Sequence, residues 1–303
     1  MEIFMKLIFS IGLFFVFSCQ QSVVKKNEIN TKKFESKSQE IKMETKPVDI
    51  KYESPVPLTP PPLQTPKAVP NFGIIFSGGG AKAWAHVGIL KEMQKYKFPV
   101  VSVAGIEWGS VIAAIYAQSL SANEVEWEMS KFKSIDKSTE FIQTIFAKKT
   151  VTDMKAGFAC PSLNIKSQTV YLLNRGNVDQ FLPFCVSSPG LVKPYGQSVA
   201  LMSDISILAQ HLKSTGVQKI ILINVMTSKT AKPYLKNMES VENQIWVAAA
   251  AQLAKKSAGF DELIEIDISD FGIDSFDLRR EIMAKGSELS YNQIKKIADK
   301  YGL

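Results

Sequence analysis

Histidine and cysteine are scarce in this chain, which has two of the first and three of the second in 303 residues. With only His86 and His211, and no C-x-x-C or histidine-rich spacing, a zinc site of the usual ligand set is not expected, nor any other metal or cofactor. A long apolar run is missing too. The longest near the start, Leu7 to Phe17, has eleven residues, short of the ~20 that a membrane-spanning helix needs. The triple glycine at 78–80 is followed by neither G-K-[ST] nor a completed G-x-G-x-x-G, because Ala83 and Trp84 stand where glycine would. Neither a P-loop nor a dinucleotide fingerprint is therefore present, and no nucleic-acid partner is expected.

The chain contains three stretches of different texture. A lysine, the apolar run, Ser18 and Cys19 stand in the order of an export signal, and "VFSC" resembles the lipobox of bacterial lipoproteins. Residues 1–19 are thus expected to be a signal segment and Cys19 a lipidated mature N-terminus, held in membrane lipid. Gln20 follows it, and the absence of an aspartate there points to the outer membrane of a bacterial envelope. Residues 20–71 carry nine lysines, six acids and a crowd of prolines from Pro55 to Pro70. Such a segment buries too little apolar surface to offset its ordering entropy, and it reads as an extended tether. Residues 72–303 have the 3.6-residue and continuous apolar patterns of a folded domain. In an oxidising compartment Cys160 and Cys185 could be bridged or could be two buried thiols.

Within that domain "FGIIF", "FPVVSVAG", "QKIILINV" and "ELIEIDI" read as buried strands. "AHVGILKEMQKY", "SVIAAIYAQ", "SANEVEWEMSKF", "ISILAQHLKS" and "REIMAKGSELSYNQIKKIADKY" read as helices, the third opened by a Ser121/Glu124 capping box. Strands alternating with helices imply an α/β domain with a largely parallel sheet covered on both faces.

The segment "VAGIEWGSVIAAIYA" places Glu107 between Gly105 and Gly109 at the junction of a strand and a small-residue helix. A strand, G-x-S-x-G and a helix form the nucleophile elbow of serine hydrolases, but the middle residue here has no hydroxyl. Together with "GGGAKAWAHVGIL" before it and "SSPGLVKP" after it, the order resembles the patatin-like phospholipase family from Phe72 to the C-terminus. The resemblance implies a three-layer α/β sandwich. It also implies an oxyanion or anion loop at Gly78, Gly79, Gly80 and Lys82, with an elbow framed by Gly105 and Gly109. It puts the family's nucleophilic serine at Glu107 and, by a gapless count back from Ala209, its dyad aspartate at Gln197. Both positions would be without function. His86 is expected to pack a helix. Trp108, an indole where the family has a small residue, is expected to crowd the cleft mouth or to lie on the helix surface.

These readings lead to an envelope-tethered pseudo-hydrolase that binds a lipid, an acyl chain or a partner protein of the envelope. An active acyl hydrolase that uses Glu107 in an unorthodox role or an alternative serine such as Ser110, and a scaffold with a vestigial cleft, are the rivals. An open apolar cleft would speak against the scaffold, and a filled one for it. Glu107 is expected to take the N–H groups of Gly78, Gly79 and Gly80, with its carboxyl held below the usual carboxylate range.

Overall fold

The structure, a computed structural model, describes residues 68–202, 204–227, 241–253 and 259–303. The signal segment, Cys19 and almost all of the tether lie outside the described residues. The fold begins with β1 (Phe72–Phe76), followed by α1 (Ala85–Lys95), β2 (Val100–Gly105), α2 (Trp108–Ser119), α3 (Ala122–Ser130) and α4 (Ser138–Ile145). Next come β3 (Gly157–Asn164), β4 (Thr169–Leu173), α5 (Val178–Val186), β5 (Ser198–Ala200) and α6 (Ser206–Ser214). The chain closes with β6 (Lys219–Asn224), α7 (Val241–Leu253), β7 (Glu262–Glu265) and α8 (Arg279–Tyr301).

Among the described residues the strands form one seven-stranded sheet in the order β4-β3-β2-β1-β6-β7, with β5 paired to β3. β1, β2, β3, β6 and β7 run parallel, and β4 and β5 join β3 antiparallel. Alternate side chains of a strand point to opposite faces, and the core divides accordingly. Phe72, Ile74 and Phe76 of β1 and Ile221 and Ile223 of β6 enter one apolar cluster with residues of α1, α2, α5 and α8. Ile75 of β1 and Ile220 and Leu222 of β6 enter the other, with α6 and α7. Three layers result: helices, a mostly parallel sheet, helices.

The strands and helices expected from periodicity are present. Only half of the capping box forms: the Ser121 side chain accepts from the Glu124 N–H, 3.4 Å away. Cys160 in β3 and Cys185 in α5 are joined by a disulfide, so the helix that leads to Ser187 and Ser188 is tied covalently to the sheet. Trp108 lies neither at a cleft mouth nor on the surface. It is fully buried, with its ring against Trp84, Phe132 and Phe276 at centroid distances of 5.4, 5.0 and 5.9 Å. It is the first residue of α2, and that aromatic cluster fixes the direction in which the helix leaves the sheet.

Candidate functional site

The central strand and its neighbour set the site. β1 and β2 are paired in parallel with Phe76 opposite Gly105. The glycine loop after β1 and the turn after β2 therefore leave the same end of the sheet side by side, and the Ile106 N–H donates to the Phe76 carbonyl at 3.1 Å. The carboxyl ends of neighbouring strands are where open α/β sheets place ligands.

Glu107 sits in that turn with φ 51° and ψ −131°, a backbone conformation that residues with a Cβ seldom adopt and that only fixed surroundings maintain. The surroundings here are backbone. A Cβ at Gly105 would stand 2.3 Å from the Gly109 carbonyl oxygen, and one at Gly109 would stand 2.2 Å from the Ser77 carbonyl oxygen. The two glycines thus let β2, the turn and α2 pass against the glycine loop with no side chain between them.

The Glu107 side chain is fully buried and satisfied at both oxygens. Its Oε2 accepts the N–H groups of Gly79 at 3.1 Å and Gly80 at 2.9 Å. Its Oε1 accepts the Ser188 hydroxyl at 2.9 Å. Gly78 supplies space rather than an N–H: a Cβ there would lie 2.9 Å from Glu107 Cβ. The expectation of three glycine donors is thus corrected to two, joined by the Ser188 hydroxyl and the Trp108 N–H.

The expected direction of the Glu107 titration is reversed. Burial pushes its carboxyl up to about 7, outweighing the N–H groups of Trp108 and Gly80, the Ser188 hydroxyl and the Gly79 N–H, which all favour the charged form. The removal of the carboxylate from water is the larger effect because no cation is among the groups that act on it. Lys82, expected in the anion loop, is buried elsewhere in electrostatic terms. Burial lowers its ammonium to about 8, and the charges that support it are Asp267 and Asp270.

The remaining candidates separate. Gln197 is not brought to Glu107: it is exposed in the turn before β5, where its carbonyl accepts the Ile165 N–H at 2.8 Å. His86 is buried, its Nε2 lies 2.8 Å from the Ser77 carbonyl oxygen, and burial lowers its pKa to about 4. It packs edge-on to Phe76 as a neutral ring. The Ser110 hydroxyl donates to the Glu107 carbonyl at 2.5 Å within the first turn of α2. Ser188 was not singled out by its type or spacing, although the two serines before Pro189 and Gly190 were a visible signal.

Ser188 also belongs to the wall of an open cavity of about 860 Å³, formed by residues 188–194, the end of β5 with Leu201 and Met202, Leu163, and one face of α7. The wall is mostly aliphatic, and its charged residue is Lys193. Trp246 of α7 donates its indole N–H to the Pro189 carbonyl at 2.9 Å, which holds the helix against the Ser-Pro-Gly turn. A second recess of about 710 Å³ lies among α1, α3 and α8, and its wall contains neither Glu107 nor Ser188. Among the described residues, no group of three or more His, Cys, Asp or Glu side chains could hold a metal ion.

Residues 74–204, from β1 to the approach to α6, match the family model described as patatin-like phospholipase. The chain is 25% identical over 180 residues to lysophospholipase NTE1 of Pyricularia oryzae, which covers 51% of this chain and 12% of that protein. It is 23% identical over 178 residues to lysophospholipase NTE1 of Candida albicans, covering 50% of this chain and 13% of that one. The chain thus matches only about an eighth of the length of these relatives. Among solved structures it is similar to VipD from Legionella pneumophila, with a TM-score of 0.47 and 11% identity over 77% of this chain and 68% of that one. The matched segment carries the central strand, the glycine loop, the strained turn and the Ser-Pro-Gly segment in one piece, and it is a patatin-like phospholipase domain, with the fold of a lipid hydrolase.

Proposed function

We propose that this protein is a patatin-like pseudo-hydrolase, which binds the acyl chain of a lipid and does not cleave it. The observation that carries the reading is Glu107: its carboxyl group fills the donor pair of Gly79 and Gly80 at a strained elbow. Acyl transfer by a patatin-type dyad needs a hydroxyl as nucleophile and N–H donors left open for the oxyanion. A carboxyl group at the elbow supplies no such nucleophile, and its attack on an ester would give a reactive mixed anhydride. The aliphatic cavity beside the elbow is open and of a size that suits a lipid chain, which speaks against a vestigial, filled cleft.

One observation favours the rival reading of an active hydrolase. The Ser188 hydroxyl is hydrogen-bonded to a carboxyl group, the relation that a serine and its base have in a catalytic dyad. It lacks the other half of the machinery, since the neighbouring N–H donors are occupied by Glu107 Oε2. Hydrolysis of p-nitrophenyl butyrate and of a phosphatidylglycerol by the full-length protein separates the two. Turnover within about 10³–10⁴-fold of the uncatalysed rate, the residue left when a nucleophile is removed from a hydrolase, supports the pseudo-hydrolase. Turnover far above it that is lost in Ser188→Ala makes the rival correct.

The place of action that goes with this reading is an envelope membrane, reached through a lipid on Cys19 and the tether of residues 20–71. The disulfide between Cys160 and Cys185 supports it, since such bonds persist in oxidising compartments. Cells fed an alkyne-labelled palmitate should label the wild type and leave Cys19→Ala unlabelled. Equal labelling of both removes the anchor from the proposal.

A further inference from the structure

Ser188 joins two features that are otherwise separate, the buried Glu107 carboxyl and the wall of the aliphatic cavity. The hydrogen bonds around Glu107 restrict where a proton can sit. Oε2 faces the N–H groups of Gly79 and Gly80, and the Trp108 N–H also donates to the carboxyl group. N–H groups can only donate, so among these partners the Ser188 hydroxyl at Oε1 is the one that can accept a hydrogen bond from the protonated carboxyl group. That hydroxyl can donate or accept. With Glu107 ionised, Ser188 donates to Oε1 and turns only lone pairs to its other neighbours. With Glu107 protonated, Oε1–H donates to Ser188, and the serine proton is released towards the cavity.

We propose that Ser188 is the polar anchor of the cavity, and that the proton on Glu107 sets which ligand head it accepts. A long-chain ligand headed by an acceptor alone, such as an ester, is favoured when Glu107 is protonated, whereas an alcohol, which can donate or accept, is held in both states and serves as the reference. The inference rests on the acyl-binding reading above and adds the chemistry of the ligand head. Burial raises the Glu107 carboxyl to about 7, so both states are reached near neutral pH.

The other groups around Glu107 do not titrate in that window in a way that would copy the effect. His86 on α1, lowered to about 4, stays neutral above pH 5. Lys82, before α1, is lowered to about 8, and the charges that act on it are Asp267 and Asp270 rather than Glu107. On α2, the Trp108 N–H and Ser110 carry no charge, and Ser110 is bonded to the Glu107 carbonyl. On the segment that carries Ser188, Lys193 is the charged residue of the cavity wall, and it is exposed.

The test uses two probes with the same chain and with heads that do not titrate, methyl palmitate and hexadecan-1-ol, delivered from methyl-β-cyclodextrin to the full-length protein. In the wild type the ratio of ester to alcohol affinity should rise roughly three- to tenfold from pH 8.5 to pH 5, the worth of one net hydrogen bond. Glu107→Gln should hold the acid-side ratio at both pH values. Its amide oxygen must face the two glycine N–H groups, which leaves its NH₂ to donate to Ser188 permanently. Ser188→Ala should hold one ratio throughout. An unchanged wild-type ratio, or a shift that persists in Ser188→Ala or in Glu107→Gln, overturns the selection. Ala248→Trp, which puts an indole into the α7 face of the cavity, separates this failure from that of acyl binding. If neither probe binds the wild type, or if Ala248→Trp binds both as well, the acyl-binding reading falls with it.

Discussion

Glu107→Gln is expected to melt above the wild type at pH 8 and close to it at pH 4.5. Burial raises the folded carboxyl from the ordinary 4.5 to about 7, so the folded protein holds a proton that the unfolded chain releases between those values. Stability then falls as pH rises through that window and is level above it. The difference of about 2.5 pKa units corresponds to about 3 kcal/mol by pH 8, or roughly 6–12 °C in a domain of this size. Glutamine keeps an acceptor for the Gly79 and Gly80 N–H groups and a donor for Ser188, and it carries no charge to desolvate. Glu107→Ser instead leaves two buried N–H groups without an acceptor, at about 1–3 kcal/mol each, and should melt below Glu107→Gln at both pH values. Thermal melts of the three proteins at pH 4.5 and 8 decide it. A loss of stability in Glu107→Gln at pH 8 would mean that the N–H donors outweigh burial and that the carboxylate itself holds the turn.

That sign could not be read from the sequence, although much of the geometry could. Gly105, Glu107 and Gly109 between a continuous apolar strand and a small-residue helix imply a sharp turn, and the glycine run after β1 implies N–H donors at a helix start. Both follow from local chain chemistry, and both are present. Burial of the carboxyl group is a tertiary property. It depends on the Ser188 segment folding over the turn from 81 residues away, and desolvation outweighs the hydrogen bonds that local reasoning counts.

The antiparallel corner was hidden for a related reason. β3 contains Pro161 and α5 contains Pro183, residues that argue against strand and helix interiors. The Gln197 position came from counting along a loop as if it were gapless. In the structure that loop turns back on itself, with the Ser188 N–H on the Val192 carbonyl and the Ala200 N–H on the Ser187 carbonyl. Ser188, nine residues earlier, reaches the site, and Gln197 is left in an exposed turn. Trp108 was misplaced because a residue beside a nucleophile position suggests a cleft mouth. Its neighbours Trp84, Phe132 and Phe276 come from three other parts of the chain.

The double variant Glu107→Ser/Ser188→Asp is expected to hydrolyse p-nitrophenyl butyrate at least about a hundredfold faster than the wild type. Serine at 107 returns a hydroxyl to the elbow, whose frame of Gly105 and Gly109 is intact. It also frees the Gly79 and Gly80 N–H groups, which now bind Oε2, to receive a developing oxyanion. Aspartate at 188 puts a carboxylate on the side from which the Ser188 hydroxyl now meets the Glu107 carboxyl. The shorter and the longer side chain exchange reach across the same gap. A positioned base contributes about 10²–10⁴-fold, and each oxyanion donor about 10²–10³-fold, so a hundredfold gain allows for imperfect alignment. Ser188 is buried, which should raise the new carboxyl group above its ordinary value, and the rate should rise with pH as it ionises. Glu107→Ser/Gln197→Asp is the control for position. Its new carboxylate lies on the exposed turn before β5, and it should gain nothing over Glu107→Ser alone. If that control matches the Ser188→Asp pair, the base belongs near 197 and a rearranged loop brings it to the elbow. If neither exceeds the wild type, the cavity beside the elbow does not present an ester to residue 107, and the site has lost more than its two chemical groups.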